Sequence, residues 1–184
     1  LLNTVLGSFS SGVAASTSSY ESIATATGTG SSGTITFSSI PLTYKHLQVR
    51  INLVASVAGG NIQGRFNGDT AANYASHYIR GDGSAAGASG TASLAFNRLG
   101  ASYNGVIATY PSVLIIDITD YASTTKTKTL RSFFGTDRNL ISSSTIELTS
   151  GLWNSTSAIS SFEIYLSSGN YTTSSTFALY GIKG

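Results

Sequence analysis

The closest pair of acids in the chain is Asp117 and Asp120, in the segment DITDY. Paired carboxylates are what a glycosidase sets about 5 to 9.5 Å apart across a sugar. On an extended strand, however, residues three apart point to opposite faces, so this pair does not converge, and Asp120 reads as the cap of a following turn. The two histidines, His46 and His77, have no recognisable nucleophile partner, and neither a G-x-S-x-G elbow nor an H-E-x-x-H metal motif occurs. Gly28 to Gly33, GTGSSG, spells the dinucleotide fingerprint G-x-G-x-x-G. That fingerprint needs a helix after it to hold a pyrophosphate, and Thr34-Ile35-Thr36-Phe37 is strand-like, so the stretch reads as a hairpin turn. Asn67, Asp69 and Asp82 carry oxygens suited to calcium, which takes six to eight of them and usually several carboxylates; without a dense acidic cluster they read as turn formers. Arg80-Gly81-Asp82 matches a receptor-binding triplet, a three-letter pattern with a high chance rate. These residues predict no enzyme, no metal and no cofactor.

Binding chemistry has more to work with. Trp153, Tyr103 and Tyr171 are aromatic residues in or near loops that could stack on sugar rings, and Trp153 could equally plug the base of a core. Ten Lys and Arg against eight Asp and Glu give a net charge of +2, scattered along the chain. Nucleic acid is therefore not an expected partner, because counterion release needs a concentrated basic surface. The chain has no cysteine, hence no disulfide framework and no thiolate ligand. No apolar run approaches the roughly 18 residues of a helical membrane span.

The elements that must position these residues are strands. Charged residues make up 10% of the chain, and Ser and Thr roughly three residues in ten, a composition that favours strands and tight turns over long helices. His46 to Val54 alternates cleanly, with Leu47, Val49, Ile51 and Leu53 on one face. Phe162, Ile164 and Leu166 alternate likewise, and Phe177 to Ile182 closes the chain. Further strands are predicted at Tyr20 to Thr27, Asn61 to Phe66, Tyr74 to Arg80, Thr91 to Leu99, Ser112 to Tyr121, Lys126 to Gly135 and Thr145 to Leu148. In the last of these Ile146 and Leu148 read as inward, while Lys126 and Lys128 read as a charged, guarded edge. Nine to twelve short strands with turns every eight to twelve residues predict an all-β, two-sheet antiparallel sandwich of jelly-roll type over residues 20–184.

Two stretches do not fit a self-contained sandwich. Val113-Leu114-Ile115-Ile116 is apolar on both faces, and a sandwich layer needs only one, so Val113 and Ile115 are predicted to meet another subunit. Residues 1–19 lack the basic n-region of a secretion signal and read as an N-terminal extended arm whose Val5, Leu6 and Phe9 need a neighbour to bury them.

Several blocks, in one order, carry a resemblance. They are TITFSSIPLTYKHLQVR at Thr34 to Arg50, RFNGDTAANY at Arg65 to Tyr74, DITDYASTTKTKTLRS at Asp117 to Ser132, and a terminal GLWNSTSAI, SGN and FALYGI. Together they resemble small virion structural proteins of tailed phages, especially phages of marine bacteria and cyanobacteria. The resemblance implies a non-enzymatic protein of the virion surface, partnered by capsid or tail proteins and forming a homo-oligomer. A compact chain without coiled-coil heptads favours a capsid decoration or cement role. The alternative is a tail-fibre or spike module, trimeric, that recognises host surface glycans through Trp153, Tyr103 and Tyr171.

Overall fold

A computed structural model describes residues 18–103, 110–139 and 144–184, with the side chains of residues 101–103 outside the description. Those residues form twelve strands: β1 Tyr20–Thr27, β2 Thr34–Phe37, β3 His46–Leu53, β4 Gly60–Phe66, β5 Tyr74–Gly81, β6 Ala86–Leu94, β7 Asn97–Tyr103, β8 Ser112–Thr119, β9 Lys128–Thr136, β10 Thr145–Trp153, β11 Phe162–Leu166 and β12 Thr176–Ile182. Every pairing is antiparallel. An eight-stranded sheet runs β1-β12-β3-β8-β9-β10-β5-β6, and a four-stranded sheet runs β2-β11-β4-β7. The all-β, two-sheet expectation is met.

The core fills the space between the sheets. Leu47, Val49, Ile51 and Leu53 of β3 point inward as their alternation predicts, joined by Leu114, Ile116 and Ile118 of β8 and by Phe177 and Leu179 of β12. From the smaller sheet come Ile62 and Phe66 of β4, Leu99 of β7, and Phe162 and Ile164 of β11. Phe66 lies 4.8 Å from the Phe162 ring and 5.6 Å from that of Trp153. Close approach of the layers requires glycine at position 100, where a Cβ would stand 2.9 Å from the Phe134 ring of the other sheet, and within the smaller sheet a Cβ on Gly64 would stand 2.7 Å from the ring of Phe162 on the adjacent strand.

Several local expectations are corrected. GTGSSG does not close a hairpin, because β1 and β2 belong to different sheets. The chain crosses there over the loop before β12: Gly30 N–H donates to the Tyr171 carbonyl, and Tyr171 N–H to that of Ser32. The predicted strand Thr91 to Leu99 is two strands in two sheets, β6 with a bulge near Ser93 (φ +56°) and β7, separated by a bend at Ala95-Phe96. Lys128 guards no edge. It lies in β9, between β8 and β10, fully buried, and its Nζ donates to the carbonyls of Ser123 (2.7 Å), Lys126 (2.7 Å) and Thr156 (3.2 Å). Alternation placed it on the wrong face, because the sequence does not show that three loop carbonyls converge there.

Candidate interaction face

The residues that could do chemistry are held apart. Asp117 accepts from Gln48 Nε2 (2.8 Å) and Arg131 Nη2 (3.2 Å) on the outer face of the large sheet. Asp120 stands in the turn after β8, with φ +47°, between the ammonium groups of Lys45 (2.9 Å) and Lys126 (2.8 Å). Those two cations hold its pKa down to about 2. His46 is anchored, its Nδ1 accepting from the Asp120 N–H at 3.0 Å. Asn67 Oδ1 accepts from Ser160 and Ser161 N–H, and Asp82 Oδ1 from Ser84 and Ala85 N–H, the latter bonds lowering the Asp82 pKa to about 2. Among the described residues no three of His, Cys, Asp and Glu gather as metal ligands.

Two of the three aromatic candidates lie inside. Trp153 is 3% exposed, stacked on Tyr74, and its indole N–H donates to Asp69 Oδ2 at 2.7 Å. Hydrogen bonds from Asn73, from Trp153 and from the Ala71 N–H hold the Asp69 carboxyl below the usual range. Tyr171 is fully buried, edge-on to Phe177 at 4.8 Å. Neither ring lies on the surface as a sugar platform: Trp153 fills the core, the alternative its sequence offered, and for Tyr171 strand patterns do not reveal that a residue beside a loop folds under it. The Tyr103 side chain and the arm residues Val5, Leu6 and Phe9 lie outside the described residues.

Val113 and Ile115 stand on the outer face of β8, as the doubly apolar segment predicts, and they are not alone. In register, Ile115 pairs with Phe133, Phe133 with Leu148, Leu148 with Ile79, and Ile79 with Ala88, a row across β8, β9, β10, β5 and β6. The neighbouring row carries Val113, Gly135, Ile146, Gly81 and Ala86. The six large side chains of this patch are 42 to 60% exposed. Grooves run over the same face, between His77, Ile79, Asp117, Arg131 and Leu148, and between Ile79, Ala88, Phe133 and Ile146. A polar row of Gln48, Asp117, Arg131, Ser150 and His77 borders it.

Beneath the patch the usual alternation is inverted. Ile146 and Leu148 face out, contrary to the sequence reading, and Glu147 and Thr149 face in, each 1% exposed. Polar groups of β7 require this. Arg98 donates through Nε and Nη2 to the two Glu147 oxygens, each at 2.9 Å, and through Nη1 to Asn61 Oδ1 at 3.2 Å, with its guanidinium 4.4 Å from the centre of the Tyr78 ring. Arg98 N–H also bonds Ser76 Oγ at 3.0 Å, and Ser132 Oγ donates to the Leu99 carbonyl at 2.6 Å. Ile79, Phe133, Ile146 and Leu148 are therefore the interface candidates that sequence reasoning missed. The signal available was the apolar-polar-apolar triplet Ile146-Glu147-Leu148, which reads inward unless the acid is known to have an internal partner.

No family model matches the chain, and no curated protein or solved structure was found to match it.

Proposed function

We propose that this chain is a non-enzymatic structural protein of a phage virion surface, a capsid decoration or cement subunit that packs against its neighbours through the outer face of the large sheet. The observation that carries the reading is the apolar outer patch, with Ile, Leu, Val and Phe outside and, under β9 and β10, Glu147, Thr149 and Ser132 inside. The inner partners account for the buried side of that arrangement, but its bare apolar side, on the order of 500 Å², stands at the upper end of what soluble monomers expose. Against a partner it becomes the dry centre of an interface of about 800 Å² per side, bordered by the polar row.

The jelly roll belongs to the same proposal. Set aside the β5–β6 and β9–β10 pairs, and the remaining strands read β1-β12-β3-β8 and β2-β11-β4-β7. Successive strands of that frame alternate between the sheets except at β4 and β7, which pair within the smaller one; this is the eight-strand winding of capsid and lectin domains, with the two hairpins widening one sheet. The competing glycan-binding spike has less support, because Trp153 and Tyr171 are buried.

Immunogold labelling of intact particles, with an antibody raised against residues 20–184, tests the assignment. Dense label over the head is the expected result. Label confined to the tail tip would favour the spike, and no label on any particle would end both.

A further inference from the structure

We infer that two copies of this chain join edge to edge through β6. Of the four sheet edges formed by the described residues, three are poor templates for another strand. β1 is broken by a register shift at Ser22/Ala24 and carries Glu21, which is paired with Lys183 and accepts from the Tyr44 hydroxyl. β2 has four residues, and β7 pairs irregularly with two register shifts. β6 differs. Its run Ala86–Thr91 keeps unbroken register with β5, carries no charge and no proline, and is exposed on both faces. Charge, proline and shortness are the devices that guard an edge, and this run lacks them all.

The same residues select the occupant. A strand with large side chains needs pockets between the host's side chains, and the run AGASGT offers only Gly, Ala, Ser and Thr. The strand that fits such a bare edge is one equally small, a second β6. Because β1 is guarded, head-to-tail growth of β1 onto β6 is blocked, and the pairing closes as an isologous two-fold dimer. Antiparallel strands side by side require the two-fold axis to stand perpendicular to the sheet. Wherever that axis passes within the run, small residues oppose small residues. Both outer faces then lie on one side, and the apolar row ending in Ala88 is doubled into a single longer surface. This inference does not depend on where the protein works.

The test uses the full chain at increasing concentration, by light scattering behind gel filtration and by analytical ultracentrifugation. A dimer is expected, and Ala88→Lys, which sets like charges against each other near the axis, is expected to weaken it by about tenfold or more with an unchanged circular dichroism spectrum. Since the chain has no cysteine, a spin label on Ser89→Cys reads the geometry directly, with label separations below about 20 Å expected for strands roughly 5 Å apart. A monomer at every concentration overturns the inference. So does an oligomer that survives Ala88→Lys but dissolves on Leu148→Lys, with labels beyond that range, which would make the apolar face the contact.

Discussion

Replacing Glu147 with Leu should cost this protein a large part of its stability, although leucine is apolar and of similar length. The carboxylate is fully enclosed between the sheets, where it takes two charge-assisted hydrogen bonds from Arg98 and one from Thr149 Oγ1 at 3.1 Å. Its loss leaves a guanidinium, 17% exposed at the side chain, with only Asn61 and the Tyr78 ring as compensation. Removing one partner of a buried pair costs about 3–5 kcal/mol, because the other charge stays desolvated. Against a total of about 5–15 kcal/mol this is a large fraction, and in a domain of this size it lowers Tm by about 10 °C. Replacing both partners, Arg98→Met with Glu147→Leu, removes the stranded charge and should recover most of the loss. The assay is a double-mutant cycle by urea denaturation, with a coupling above about 2 kcal/mol expected. Additive effects, with coupling below about 0.5 kcal/mol, would refute the argument that this pair forces the inverted alternation of β10.

Three further outcomes are expected. Ile115→Lys, at a site 42% exposed, should change folding stability by no more than about 0.5 kcal/mol while reducing assembly, as measured by denaturation and gel filtration; unfolding would mean that the outer face is core. Gly100→Ala should destabilise by about 1–3 kcal/mol, because the added methyl meets the Phe134 ring at 2.9 Å and Ile62 at 3.3 Å in a closed core; a neutral result in urea would show that the layers can separate. Asp69 has a folded-state pKa below its unfolded value, so its contribution is present above the unfolded pKa and is lost as pH falls through the folded one. The single tryptophan, bonded to that carboxylate, should report the loss as a fluorescence change on acidification, and Asp69→Asn should abolish that pH-dependent step.

What could be read from the sequence followed from period and composition. Leu47 to Leu53 lie in as their alternation says, because one side of β3 meets the core and the other meets solvent. Val113 and Ile115 were legible as surplus apolar residues for the same reason. The reading failed where burial is polar. Lys128, Glu147 and Thr149 look like surface residues and lie inside, so Ile146 and Leu148 were assigned to the wrong side. The partners that permit this, Arg98 and the carbonyls of Ser123 and Thr156, are 49, 5 and 28 positions away, in loops or in the other sheet, where strand alternation does not register them. Trp153 takes the core-plug alternative that its sequence offered, while Tyr171, read as a loop residue, is buried where the chain closes over it.

The buried Lys128 has a consequence for endurance. Where loop carbonyls converge, a chain can recruit a divalent ion from solution, and its rigidity then depends on the supply of that ion. Here the positive charge that gathers the carbonyls of Ser123, Lys126 and Thr156 is covalently attached to the chain. Dilution cannot wash it out, a chelator cannot extract it, and a change of salt water to fresh leaves its occupancy untouched. The clamp between the turn after β8 and the segment after β10 is thus independent of the medium's cation content.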